Sequence, residues 1–178
     1  VVYFTHKNNQ EKDKFLKIIK SNVLHNQDLR FEFYDNNKIT DFIKNNYPEF
    51  YNFYKRIHSE YGASKADIFR VLILYHNGGI YIDIKTKIFN IYNQIKDKSF
   101  CLGGYNDKFM NLVNSLLKFK YSNYFIATEK KGRVINLIKD EMYHRLSNFG
   151  KLKLSLNYLY LPGTKISGLK SVFFYTGP

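Results

Sequence analysis

Two short runs in this chain of 178 residues combine side chains that can do chemistry. The first is Asp67-Ile68-Phe69-Arg70, a carboxylate and a guanidinium three positions apart inside an apolar stretch. At helical pitch Ala63, Asp67, Arg70 and Leu74 fall at i, i+4, i+7 and i+11 and share one stripe. Burying such groups without partners is expensive. They form either a mutual salt bridge, worth little if exposed, or the rim of a pocket that hydrogen-bonds a polyol. The second run is Tyr81-Ile82-Asp83-Ile84-Lys85. Its alternation predicts a strand with the isoleucines on one face and Tyr81, Asp83 and Lys85 on the other. Asn77, Gly78 and Gly79 join the two runs, stopping the helix where a left-handed cap is cheap. In open α/β sheets ligands sit at the carboxyl ends of strands, which is where Asp83 falls, and this position favours the pocket reading.

Other reactive residues carry less. His25, His58, His76 and His144 lack metal-ligand spacing. Cys101, between Phe100 and Leu102, reads as a buried strand residue with no activating partner, and as the single cysteine it excludes an intrachain disulfide. Residues 62–65 lack the glycine spacing and the Lys-Ser/Thr pair of a P-loop.

The elements that must position the two runs alternate in period. Residues 1–5 read as a buried strand. Residues 11–20 read as an amphipathic helix with Phe15, Leu16, Ile18 and Ile19 inward. A second strand covers 29–34, Asp35 to Asn37 forms a turn, and a short helix over 39–46 ends at Tyr47-Pro48. Residues 49–58 are helical, with Phe50, Phe53 and Tyr54 as a core-packing stripe. A strong helix spans 63–75 and the strand of Asp83 covers 80–85. Then come a helix at 91–96, a strand at 100–103, a mixed helical pattern at 108–119, a strand at 124–128, a helix at 133–146 and a final strand at 171–175. No internal repeat or second domain boundary is visible. Strands alternating with helices predict a single α/β domain with a mostly parallel, Rossmann-like sheet flanked by helices.

Composition sets bounds on partners. With 44% hydrophobic and 24% charged residues, the chain is neither collagen-like nor compositionally disordered. A chain of this length buries roughly 70% of its unfolded surface and needs no staples. Its formal charge of +13 raises nucleic acid, an anionic membrane or a phosphorylated substrate. Only five of the 28 cations are arginine, and the rest are lysine in a chain crowded with Asn, Ile, Tyr and Phe. Those residues share AT-rich codons, so coding bias accounts for much of the lysine excess. The lysines are spread throughout, against the face-clustering of an RNA- or membrane-binding module. The expectation is therefore no nucleic-acid partner, with peripheral membrane association left open. No signal segment or membrane span is visible, the longest mid-chain apolar run falling far short of the ~20 residues a spanning helix needs. The chain opens inside an apparent strand and ends on Gly177-Pro178, which reads as a fragment. Its compartment is expected to be cytoplasmic or membrane-peripheral in a bacterial or viral setting and the Golgi lumen in a eukaryotic one.

The series Ala63, Lys65, Ala66, Asp67, Ile68, Arg70, Leu74, Tyr75, Gly78, Gly79, Ile80, Tyr81, Asp83 resembles the signature of glycosyltransferase family 32. These are the DXD sugar transferases that include capsular polysaccharide and initiating mannosyltransferase-like enzymes. The opening VVYFTHK resembles that family's first strand, LRFEFYDNNKITDFIKNNYP its next strand, acidic turn and helix, and Thr176-Gly177-Pro178 a motif near the end of its core. The resemblance implies a GT-A fold and an enzyme that takes a UDP- or GDP-sugar as donor, a glycan or protein as acceptor, and retains anomeric configuration in polysaccharide biosynthesis or glycosylation. It implies that Asp67 and Arg70 hold hydroxyls of the donor sugar, as suits an acceptor-only carboxylate beside a five-donor guanidinium. Asp83 then contacts ribose or sugar and organises the diphosphate, while Thr5 and His6 lie by the nucleoside. Gly79, Tyr81 and Asn123 complete the donor set, with Gly78 and Gly79 serving the turn more than the ligand. Asp83, Lys85 and Arg70 are the residues placed closest to catalysis. Asp107 is loop-borne and reads equally as a donor or acceptor contact and as a surface turn.

Two positions depart from the resemblance. The second DXD aspartate, a ligand of Mn²⁺ or Mg²⁺ in the family, is Lys85 here, leaving Asp83 as the remaining metal candidate. Unit charges 4 Å apart interact by ~4 kcal/mol at an effective dielectric of ~20, so a divalent ion loses an attraction and gains a repulsion. Three outcomes are open: other oxygens hold the metal, Lys85 itself neutralises the diphosphate, or catalysis is lost and a nucleotide-sugar- or glycan-binding relative remains. The second departure is His6, where the family carries a base-stacking Trp. The chain has no Trp at all.

Overall fold

The computed structural model describes residues 1–59, 61–104 and 121–152. Its centre is helix α5 (Gly62–Asn77), which follows β1 (Val2–Thr5), α1 (Asn9–Asp13), α2 (Leu16–Leu24), β2 (Phe31–Tyr34), α3 (Asn36–Asn46) and α4 (Pro48–Tyr54). After it come β3 (Gly79–Ile82), α6 (Ile91–Ile95), β4 (Phe100–Gly104), β5 (Tyr121–Thr128) and α7 (Arg133–Leu152). Every residue from Asp67 to Leu74 is buried, so α5 lies within the molecule and not on its surface. The helix stops where Gly78 adopts φ 69° and donates its N–H to the Leu74 carbonyl at 2.8 Å. Only glycine fits there, because a Cβ at Gly78 would stand 2.5 Å from the backbone nitrogen of Lys130.

The five strands run in the order β2-β1-β3-β5-β4. β1 pairs in parallel with β2 and with β3, while β5 is antiparallel to both β3 and β4. Four strands therefore point one way and β5 is reversed, which gives the expected mixed α/β architecture. The chain leaves β1 toward β2 on one side and returns past β1 to β3 on the other. The sheet thus changes winding direction between β1 and β3, the position where open α/β sheets form a crevice.

Alternation along the strands divides the core in two. Tyr3, Tyr81 and Ile126 pack on one face against residues of α3, α4, α5 and α7, including Ile43, Phe50, Phe69 and Ile135. Val2, Phe4, Ile80, Ile82, Phe125 and Ala127 form the other face, covered by Phe15 and Ile19 and by Ile91 and Ile95 of α6. The aromatic stripe on α4 is core, as expected, with Phe50 and Tyr54 buried.

Three local expectations are corrected. The helix expected over 11–20 is two helices, α1 and α2, and the break turns the Phe15 ring onto His6 at 5.5 Å while leaving Leu16 exposed. Asp35 is an N-cap, its side chain accepting from the Lys38 N–H at 2.9 Å, so α3 begins where a turn was expected. β3 ends at Ile82, and Asp83 opens a turn closed by the Thr86 N–H donating to the Asp83 carbonyl at 2.8 Å. The expected elements at 108–119 and 171–175, together with Asp107 and Thr176-Gly177-Pro178, lie outside the described residues. Among the described residues no helix is long and apolar enough to cross a membrane.

Candidate functional site

An open cleft of about 630 Å³ lies at the carboxyl ends of β1 and β3, beside the first turns of α5. Six of the residues singled out from sequence line it: Thr5, His6, Arg70, Tyr81, Asp83 and Lys85. Thr5 is the last residue of β1, and its hydroxyl lies 3.1 Å from the Tyr81 hydroxyl on the neighbouring strand.

Arg70 is the hub of the wall. One terminal nitrogen, Nη2, lies 2.9 Å from Asp67 Oδ1 and 3.3 Å from Asp83 Oδ1, and the other donates to the Asn123 carbonyl. The guanidinium stacks over the Tyr81 ring at 4.6 Å. Its Nε is buried with no hydrogen-bond partner among the described residues. Burial disfavours the charge on Arg70, but Tyr81, Asp67 and Asp83 outweigh that effect and hold it protonated. For Asp67, burial is the larger influence and pushes the carboxyl above its ordinary value, against the pull of Arg70. Asn123 offsets part of this by donating its side-chain N–H to Asp67 Oδ1 at 3.0 Å. Burial likewise pushes the Tyr81 hydroxyl up.

The salt-bridge and pocket-rim alternatives for Asp67 and Arg70 are thus both partly realised. Asp67 sits behind Arg70, outside the cleft lining, with its carboxylate engaged by Arg70 and Asn123. Asn123 is an exposed residue outside the cleft lining that holds both partners. Asp83 is half-exposed, its backbone N–H donating to the Tyr124 carbonyl at 2.8 Å. Gly79, expected in the donor set, stands at the opposite end of β3 from the cleft. Its φ is 100°, and a Cβ there would meet the Val1 carbonyl at 2.7 Å, so its role is the turn. Lys85 reaches the cleft from the turn after β3, not by strand alternation.

Sequence reasoning missed Asn22 and Asn26, which fix the segment following Asp83. Asn22 donates to the Thr86 carbonyl at 2.8 Å and accepts the Ile88 N–H at 3.0 Å. Asn26 donates to the Ile88 carbonyl and accepts the Ile91 N–H, each at 3.0 Å. The two buried amides take the place of a missing strand edge. Their signal was two asparagines four positions apart, one in the last turn of an amphipathic helix and one just past its end.

The described residues do not fit a directly held Mn²⁺ or Mg²⁺. Such ions want several hard oxygens. Asp83 is the single carboxylate in the lining and faces Arg70, Lys85 lines the same wall, and no three metal-ligating side chains converge among the described residues. Asp83, the metal candidate from sequence, is alone among the lining residues in offering such an ion a carboxylate.

A basic crevice at the carboxyl ends of the central parallel strands, walled by an Asp-x-x-Arg helix and the Asp83 turn, stands where open α/β sheets bind their ligands. Residues 12–101, half of the chain, match the family described as glycosyltransferase sugar-binding region containing DXD motif, and the chain belongs to that family. An uncharacterized glycosyltransferase of Acanthamoeba polyphaga mimivirus is 42% identical over 60 residues. That match spans 33% of this chain and only 23% of the viral protein. The solved PaToxG glycosyltransferase superposes with a TM-score of 0.52 at 18% identity, over 98% of this chain and 73% of that one, a likeness of fold. The UDP-bound glycosyltransferase domain from the YGT toxin gives a TM-score of 0.42 at 12% identity, over 92% of this chain and 44% of that one.

Proposed function

We propose that this chain carries the donor site of a glycosyltransferase that moves a hexose from a UDP- or GDP-sugar to a glycan or protein acceptor, with retention at the anomeric carbon. The observation that carries the proposal is the cleft between β1 and β3, in which a half-exposed Asp83 is fastened to the buried Arg70. Its volume lies within the ~300–1,000 Å³ of small-molecule sites. Thr5 and His6 border the nucleoside end. Asp83 and Arg70 border the ribose and donor sugar, while Asp67 and Asn123 act through Arg70 as positioning residues. Retention follows from the family resemblance. Rate enhancement comes from orienting the donor and stabilising the departing diphosphate.

Lys85 favours a second reading, a nucleotide-sugar-binding relative without turnover, because a cation stands where the family's metal aspartate does. Sugar release from a panel of UDP- and GDP-sugars separates the two. Turnover of one donor supports the enzyme, and nucleotide binding with no turnover of any donor supports the binding relative.

A further inference from the structure

The cleft carries more positive charge than its salt bridges consume. Four cations line it, Lys7, Lys65, Arg70 and Lys85, against the single carboxylate Asp83. Arg70 is already shared by two carboxylates, Asp67 and Asp83. That trio is net negative and on its own would repel a diphosphate. Among the described residues Lys7, Lys65 and Lys85 have no carboxylate partner. Lys65 Nζ lies over the Tyr54 ring at 5.1 Å and Lys85 Nζ near the Phe15 ring at 5.9 Å.

Lys7 and Lys85 follow the carboxyl ends of adjacent parallel strands and are anchored by their backbones. The Lys7 carbonyl accepts the Asn36 N–H at the start of α3, and Lys85 sits in the turn closed between Asp83 and Thr86. The Thr86 carbonyl is in turn gripped by the buried Asn22. Both ammonium groups are exposed at the cleft, so meeting an anion there strips them of little water.

Resting on the donor-site reading above, we infer that Lys85 and Lys7 hold the diphosphate of the donor in place of a divalent cation, with Lys65 adding a third charge. Nucleoside diphosphate binding is then independent of metal, and Lys85 offsets the negative charge that grows on the leaving group as the sugar–phosphate bond breaks. Asp83 keeps its hydroxyl-binding role because Arg70, not a metal, orients it.

Calorimetric titration of the protein with UDP and GDP, in EDTA and in Mn²⁺, tests this. The inference expects the preferred nucleotide to bind within about twofold in the two buffers, less than half a kcal/mol apart. Lys85→Ala should weaken that binding by about tenfold, the scale of one charge-assisted hydrogen bond, and Lys7→Ala similarly. The corresponding nucleoside, which has no phosphate, should bind all these variants alike. Lys85→Asp should restore a carboxylate pair and make binding depend on Mn²⁺. Binding that requires Mn²⁺ in the unsubstituted protein overturns the inference and leaves the donor-site reading standing. So does binding indifferent to Lys85→Ala and Lys7→Ala. Failure of both nucleotides in both buffers overturns the donor-site reading as well.

Discussion

Replacing Arg70 by methionine keeps the apolar stem and removes the charge that joins α5 to β3 and β5. The guanidinium is 7% exposed and contacts a carboxylate, Asp67, that is 10% exposed. Removing one partner of a buried pair leaves the other charge uncompensated, at a cost of about 3–5 kcal/mol. For a chain of this size that is a Tm lower by roughly 6–20 °C. The loss depends on pH in a definite sense. Burial already raises the Asp67 carboxyl above its ordinary 3.8, and Arg70 is the chief influence pulling it back. Without Arg70 the folded-state value climbs further. A carboxyl raised in the fold lends stability in full below its unfolded value and loses it as pH rises through the folded value. The deficit of Arg70→Met is therefore largest at neutral pH and shrinks toward pH 4. Urea unfolding of both proteins at pH 7.5 and pH 5 measures it. The double variant Asp67→Asn with Arg70→Met should regain much of the loss, since neutral replacements of a buried pair are often tolerated. A deficit under about 1 kcal/mol at pH 7.5, or one equal at both pH values, refutes the assignment of Arg70 as the partner that keeps Asp67 charged.

Gly78→Ala places a side chain at φ 69°, ψ −166° and a Cβ 2.5 Å from the Lys130 backbone, so it should cost about 3 kcal/mol or more in chemical denaturation. A loss below ~1 kcal/mol would mean the α5–β3 turn has another conformation available. At the alkaline end, burial pushes Tyr34 and Tyr47 up to about 12. Their stabilising neutral forms persist through pH 10 and are lost as pH rises toward 12. Absorbance at 295 nm should show part of the 16 tyrosines ionising only with the loss of far-ultraviolet circular dichroism. Ionisation of all of them near pH 10, with the fold intact, contradicts the buried placement.

Much of this arrangement was legible from residue types and period. The α5 helix, its stop at Gly78 and the α/β layering follow from local spacing, and the approach of Arg70 to Asp83 was suggested by the place of Asp83 at a strand end and by the family resemblance. What escaped depends on elements distant in sequence. Asp67 and Arg70 share a stripe, but nothing within α5 decides which of them reaches the cleft. That is settled by Asn123 on β5, 56 residues away, which holds Asp67 behind the guanidinium. Alternation through residue 85 suggested a strand, and the reason it ends at Ile82 lies in the Asp83–Thr86 turn and in Asn22, 64 residues before its partner. The break between α1 and α2 accompanies the packing of Phe15 against the sheet-face core and the His6 ring, contacts that the helical period of its neighbours does not reveal.

In the proposed reaction Asp83, fastened by Arg70, faces a nucleotide-sugar donor. Its most direct measurement is the release of free sugar from UDP- and GDP-sugars by the unsubstituted protein and by Asp83→Ala, with folding of both checked by circular dichroism. Release from at least one donor is expected, falling to background in Asp83→Ala. Release that survives Asp83→Ala undiminished would contradict this role of Asp83.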